Sequence, residues 1–260
     1  LAFPLKYYAV GTMPASRETV LVTGGAGFIG SELVRQLGAA GHPVLVLDNL
    51  ANGRRENLAG ISSGNVRLVV GDVRDEALVR NLLAEASVVY HLACLGVRHA
   101  LREPMENHEV NATATLGLLE AARKAGVKRF VHVSSSEVYG TARAAPMNED
   151  HTTLPATVYG ASKLAGESYA RAFFLTYGFP AVVVRPFNAY GPRCHHEGDS
   201  GEVIPKFLLR RMAGLPLIVF GDGGQTRDFT HVSDTAAAIL LAGTVAEVDG
   251  DTLNIGSGQG

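Results

Sequence analysis

The stretch VLVTGGAGFIG, residues 20–30, decides the fold. A short apolar run ends directly in glycines, and the glycines open a helix-length segment, 28–38. Gly24, Gly27 and Gly30 fit a G-x-x-G-x-x-G spacing, while Gly25, Gly27 and Gly30 fit G-x-G-x-x-G, so spacing alone leaves two registers. Both serve the same physics. Glycines let the backbone turn tightly and approach a pyrophosphate, whose charge sits at the helix N-terminus. The competing reading is a plain strand-to-helix turn. A second signal favours the dinucleotide: Asp48 follows the next strand-like run, PVLVL (43–47), eighteen residues beyond Gly30. A carboxylate there accepts hydrogen bonds from the adenosine ribose and repels a 2′-phosphate, which selects NAD over NADP. Arg54 and Arg55 argue the other way if they meet that phosphate, and are otherwise a solvated loop.

Outward from this turn, further valine-rich runs lie at 66–70, 87–92, 129–133 and 181–185. Continuous apolar runs of this length suit strands buried on both faces. Helix-length segments at 75–86, 105–125 and 158–177 separate them. Strand alternating with helix predicts right-handed crossovers and a Rossmann-type, doubly wound parallel α/β sheet. After Arg185 the rhythm breaks. Residues 14–186 form the expected NAD-binding domain, rejoined by 229–256 through a helix near 233–243 and the strand-like TLNI (252–255). Residues 187–228, with clustered Gly, Pro, His and charge, are expected to belong to a small substrate-binding domain.

Bulk composition excludes several classes. Of 260 residues, 47% are apolar and 18% charged, as in an ordered globular chain. The net charge of -2 provides no general attraction for nucleic acid or an anionic membrane. No apolar run reaches the length of a membrane span. Two cysteines, Cys94 and Cys194, do not make a disulfide framework and fit free thiols in the cytoplasm. The start is unusual: Met13 is a candidate native start, with residues 1–12 either foreign or a native extension.

Two further patterns carry chemistry. TVYGASKLAG (157–166) places Tyr159 and Lys163 four apart, on one face of a helix. An unperturbed phenol titrates near pH 10, and an adjacent ammonium favours phenolate. The pair can act as acid and base towards an alcohol that becomes a ketone. Alone, Tyr-x-x-x-Lys is common by chance; after the glycine turn and the hydroxyl row of HVSSSEVYG (132–140), chemistry is the stronger reading.

TGGAGFIG, HLAC (91–94), SSSEVYG, YGASK, RPFNAYGPR (185–193) and RDFTHVSD (227–234) occur in order. The set resembles the extended short-chain dehydrogenase/reductase family, in particular its nucleotide-sugar 4-epimerases, across residues 18–258. That resemblance implies the following roles. Gly24, Gly27 and Gly30 cradle the pyrophosphate, with Phe28 and Ile29 in the same turn. Asp48 holds the ribose, Asp72 meets the adenine, and Asn49, Val73, Leu92 and Ala93 belong to the cofactor-binding set. Tyr159 is the base, and Lys163 binds the nicotinamide ribose and tunes the tyrosine. Ser135 hydrogen-bonds the sugar's 4-oxygen, and Ser136, Asn188, Arg193 and Arg227 contribute to binding the nucleotide sugar. The resemblance also implies a UDP-sugar substrate, no metal, and a homodimer built from helices 105–125 and 158–177. Leu116, Leu118, Leu119, Ala170 and Phe174 are expected to need cover beyond one subunit. Family members continue past NIGSG (254–258), so the substrate-binding domain is expected to be incomplete at Gly260.

Three branches of the family begin alike, with hydride leaving sugar C4. Epimerases return it to the other face, 4,6-dehydratases expel water, and decarboxylases release CO2 from a uronic acid. Dehydratases resemble one another in carrying Thr-Asp-Glu where this chain has Ser135-Ser136-Glu137, and serine is too weak an acid to replace the aspartate. Decarboxylases often carry Thr-Ser-Glu, so Glu137 keeps that branch open as a possible catalytic residue. YGASKLAGE and RPFNAYGPR look more like epimerases, the preferred reading. A non-catalytic NAD(H) sensor on the same fold is the alternative from another class, disfavoured because serine, tyrosine and lysine are all present. CHHEGDSGE (194–202) could hold a metal, but reads better as a segment over the sugar pocket. His91 and His132 read as core or cofactor-side histidines. Arg98 and His99 follow the fourth strand at its ligand-binding edge, where Arg98 could meet a uronate or stay solvated.

Overall fold

The computed structural model describes residues 18–61, 64–196 and 201–259. Residues 1–13 and 197–200, on which the readings of Met13 and of part of the Cys/His/acid segment rest, lie outside the described residues.

Seven parallel strands form the main sheet: β1 (Val20–Thr23), β2 (Val44–Asp48), β3 (Val66–Val70), β4 (Val88–His91), β5 (Arg129–Val133), β6 (Ala181–Pro186) and β9 (Thr252–Ile255). Their order is β3-β2-β1-β4-β5-β6-β9. β1 pairs with β2 on one side and β4 on the other, Val20 standing opposite both Val44 and Val88. The chain therefore reverses its direction of travel across the sheet between β1 and β4. A crevice opens at the C-terminal ends of strands at such a switch point.

Successive side chains of each strand feed two cores. Leu21, Leu45, Val89, Phe130 and Val183 face α2 (Glu76–Leu83), α5 (Ala114–Lys124) and α6 (Val158–Tyr177). Val22, Val44, Val46, Val131 and Val184 face α1 (Phe28–Ala39) and α8 (Val232–Ala242), which pack on each other. Burial on both faces explains why the central strands read as unbroken apolar runs.

The helix boundaries follow local chemistry. Asp75 caps α2, its carboxylate accepting from the Ala77 and Leu78 amides at 3.0 Å. Thr157 caps α6 by accepting from Gly160 N at 3.0 Å, and Gly178 ends that helix at φ 63°. The helix expected over 105–125 is a composite. After the short α3 (Val97–Ala100), α4 (Pro104–His108) passes through a π-helical stretch, Glu109–Thr113, into α5. Asn107 and Asn111 lie inside this rod and face the backbone of Leu95: Asn111 accepts from Leu95 N and donates to Leu95 O.

After β6 the chain forms β7 (Asn188–Tyr190), which pairs with β8 (Phe229–His231) outside the main sheet, with α7 (Val203–Met212) between them. α8 then returns the chain to β9, beside β6.

One argument for a dimer is corrected here. Leu118, Leu119 and Ala170 are buried within a single subunit in the core cluster shared by α2, α5, α6 and the sheet, and Phe174 packs on Gly250. Of the five apolar positions expected to need outside cover, Leu116 is the one that is exposed. The spacing of apolar residues did not distinguish a helix face turned to its own sheet from one turned outward.

Candidate active site

A cleft of about 600 Å³ opens at the switch point, where the loops after β1, β2, β4, β5 and β6 converge. Its floor is the glycine turn. Gly24 has φ 70°, and a Cβ there would lie 2.7 Å from the Ala93 amide. A Cβ on Gly30 would collide with the carbonyl of Gly24. Gly24, Gly27 and Gly30 line the cleft, whereas Gly25 does not, and a Cβ there would meet Val46 at 2.8 Å. Gly27 precedes α1 without a side-chain cap, and Phe28, Ile29 and Gly30 of its first turn line the cleft. Uncapped amides and the positive end of the helix dipole suit a phosphate anion.

Asp48 sits at the end of β2, 7% exposed. One carboxylate oxygen accepts from Ala26 N at 2.9 Å and the other from Leu50 N at 2.8 Å. Each oxygen keeps a lone pair for a ribose hydroxyl. Arg54 and Arg55 do not line the cleft. Asp72 lines it beside Asn49 and Val73, and hydrogen bonds from Arg74 hold its carboxyl down near 2. The fit to a dinucleotide is therefore geometric: an open cradle, an uncapped helix start and a carboxylate at the second strand, all in one cleft with Phe28, Ile29, Leu92 and Ala93.

At the other end of the cleft, the serine row follows β5. Ser135 accepts from Glu137 N at 3.2 Å and lines the cleft with Tyr159. Burial raises the Tyr159 pKa, Cys94 and Glu137 push it the same way, and the Ser135 hydroxyl opposes them. Lys163, 2% exposed, donates to the Val133 carbonyl at 2.6 Å. Burial lowers its pKa while Cys94 and Glu167 favour the charged form. Burial and then Cys94 are the larger causes of the Tyr159 shift, and Lys163 is not among them.

Behind the row lies a buried network not anticipated from sequence. Glu167, 0% exposed, accepts from Ser134 Oγ at 2.6 Å and from Arg185 at 2.9 and 2.6 Å. Arg185 also donates to Tyr139, whose hydroxyl donates to Asn254 at 2.7 Å. The spacing of Glu167 four residues beyond Lys163 was the available clue. Cys94 is the other omission: it lines the cleft beside Tyr159 and Lys163. His91 is buried between Thr23 and Thr115, and burial with the Lys163 charge holds it neutral, down to about 3. His132 is also buried and held neutral.

The residues expected to bind the sugar nucleotide divide. Ser135 and Asn188 line the cleft, as do Glu137, Arg98 and His99. Ser136 and Arg227 do not; Arg227 is exposed and donates to the Thr226 carbonyl. Arg193, expected on the substrate, instead turns to α1 and donates to Ser31 and Glu32. No cluster of three or more metal-ligating side chains occurs among the described residues, and no described helix is long and apolar enough to cross a membrane.

Known proteins resemble this arrangement. The chain is 42% identical over 243 residues to the UDP-glucose 4-epimerase of Mycolicibacterium smegmatis, covering 92% of this chain and 77% of that protein. It is 38% identical over 251 residues to the UDP-N-acetyl-alpha-D-glucosaminuronate decarboxylase of Bacillus cytotoxicus, covering 93% and 75%. The structure of UDP-N-acetylglucosamine 4-epimerase from Methanobrevibacter ruminantium M1, in complex with UDP-N-acetylmuramic acid, superposes with a TM-score of 0.86 at 35% identity, covering 92% of this chain and 76% of that one. A family model described as the NAD dependent epimerase/dehydratase family matches residues 20–256. With a match that runs from the first residue of β1 to one beyond β9, the chain belongs to the NAD-dependent epimerase/dehydratase family, and its cofactor is NAD.

Proposed function

We propose that the protein epimerises C4 of a UDP-hexose or UDP-hexuronate through a transient 4-keto sugar. The observation that carries this reading is the convergence of Tyr159, Ser135 and buried Lys163 on one cleft with the glycine turn and Asp48. NAD, when bound, supplies the hydride acceptor and donor. Tyr159 takes the proton from the sugar hydroxyl as the carbonyl forms and returns it as the hydroxyl reforms. Ser135 hydrogen-bonds the same sugar oxygen, and Lys163, with three donors and one committed to Val133, can reach a ribose. Gly24, Gly27, Phe28, Ile29, Gly30, Asp48, Asn49, Asp72, Val73, Leu92 and Ala93 hold the dinucleotide in this reading. Asn188 binds the nucleotide sugar, on a segment 187–228 assigned to a substrate-binding domain.

Decarboxylation is the second reading, because Glu137 lies in the cleft near Tyr159 and a 38% identical relative is named a decarboxylase. UDP-glucuronate with NAD separates the two. An epimerase yields UDP-galacturonate at constant mass; a decarboxylase yields a pentose and CO2. Glu137→Gln keeps epimerase turnover within about tenfold, since a bystander hydrogen bond is worth on the order of 1 kcal/mol. It lowers a decarboxylase by about 10²-fold or more, the scale of a lost acid or base. CO2 release that disappears in Glu137→Gln overturns the epimerase reading.

A homodimer belongs to the same proposal. Its support is now Met105, Leu116, Leu175 and Tyr177, exposed on α4–α5 and α6; a monomer by light scattering at micromolar concentration opposes it. Free Cys94 and Cys194 support a reducing, cytoplasmic location.

A further inference from the structure

The cleft has two walls that the main sheet does not join directly. One is the first turn of α1, from Gly27 to Gly30; the other includes β7, from Asn188 to Tyr190. β7 pairs with β8 alone, outside the seven-stranded sheet, and β6 is separated from β1 by β4 and β5. A side chain that bridges the two walls is therefore positioned to govern how readily they part.

Arg193 makes that bridge. It follows β7 by three residues and reaches across to α1, where Nε donates to Ser31 Oγ at 3.0 Å and Nη2 to Glu32 Oε2 at 2.5 Å. Ser31 and Glu32 come directly after Gly30, in the turn that closes the cradle. Both are buried, at 0% and 4% exposure. The anchor is fixed in turn: Arg35 and Gln36 hold Glu32, and Gln36 donates to the Ser233 carbonyl at 2.9 Å, at the start of α8. Glu32 stays ionised because hydrogen bonds from Arg35, with those of Gln36 and Arg193, hold it near 2. On the other wall, Gly191 packs against His231 and Val232, which pins the chain just before Arg193.

The backbone of Arg193 supports the same conclusion. Its φ is 68°, the left-handed region that a non-glycine residue occupies at a cost. Such strain persists where surrounding structure enforces it, and it marks positions with a task. Here the left-handed turn is what aims the side chain at α1.

We propose that Arg193 is a latch that retains the dinucleotide, tying the β7 wall to the turn that cradles the pyrophosphate. It is a positioning residue, since it acts through Ser31 and Glu32. The proposal rests on the epimerase reading for its purpose: a cycle that returns the cofactor to its starting oxidation state has no need to exchange it each turnover.

The test is the release of bound NADH from the whole protein, followed by fluorescence after mixing with excess NAD and without any sugar. Arg193→Gly removes the bridge and suits the left-handed backbone, so the variant folds. It releases NADH at least fivefold faster than the parent, and Arg193→Lys, which keeps one charged donor, is slower than Arg193→Gly. Arg35→Ala serves as the comparison, because Arg35 binds the same carboxylate from within α1 and bridges nothing; it loosens the anchor but speeds release by less than Arg193→Gly does. An increase below fivefold in Arg193→Gly, an equal increase in Arg35→Ala, or no recovery in Arg193→Lys overturns the latch. Because no sugar is present, these outcomes are independent of which product the enzyme makes.

Discussion

Ser134 donates its hydroxyl to Glu167 at 2.6 Å, and through that bond the strand carrying the serine row is tied to the helix carrying Lys163. Glu167 also holds Arg185 in a two-pronged ion pair, with side chains 0% and 4% exposed. Removing one partner of a buried pair strands the other charge, which costs about 3–5 kcal/mol. Glu167→Leu should therefore lower the melting temperature sharply. The double variant Glu167→Leu with Arg185→Met should recover much of the loss, because no buried charge is then left alone. Additive losses in thermal melts would show that the two residues are not coupled.

Tyr159→Phe should abolish turnover, by roughly 10³-fold or more, while NAD binding by fluorescence titration stays within a few-fold of the parent. The substitution removes the oxygen that titrates and leaves the ring to pack. Ser135→Ala should cost about tenfold to a thousandfold, since it removes a hydrogen-bonding partner and not the base. Near-normal turnover in Tyr159→Phe would end the assignment of this mechanism.

Asp48→Ala combined with Asn49→Arg should move cofactor preference from NAD towards NADP, measured as the ratio of dissociation constants. The aspartate also accepts from the Ala26 and Leu50 amides, so the variant should melt at lower temperature than the parent. A parent that already prefers NADP contradicts the reading of Asp48.

Acid sensitivity follows from Glu32. Its folded-state value is about 2 against an ordinary 4.5, so its contribution is fully present above pH 4.5 and is lost as pH falls from there towards 2. Glu32→Gln should be less stable than the parent at neutral pH. The gap in melting temperature should shrink as pH drops through that window. Parallel stability curves down to pH 2.5 would show that the carboxylate carries no such coupling.

The doubly wound sheet was legible because its strands are buried on both faces and so read as uninterrupted valine-rich runs. The cradle and the Tyr159–Lys163 pair were legible because their spacing is local: a turn of seven residues and one helical face. Glu167 and Arg185, the Asn107–Asn111–Leu95 contacts and the reach of Arg193 were not legible. Each joins residues far apart in sequence, and their pairing depends on which helix face meets which strand. The direction of Leu118 and Leu119 failed for the same reason. Cys94 looked like one more small residue at the end of a strand, and only the convergence of loops at the switch point brings it beside Tyr159.

The π-helical stretch at Glu109–Thr113 adds one residue to the turn it occupies, and each residue of an α-helix rotates the side chains by about 100°. That extra residue resets the phase of the rod. Asn107, before the stretch, and Asn111, within it, face the Leu95 backbone, while Leu118 and Leu119, beyond it, still face the sheet. Deleting Ala112 would return the rod to a single phase and force one set or the other outward. The rod is thus two amphipathic helices joined out of step, and its length cannot be changed by one residue without loss to either the cleft or the core.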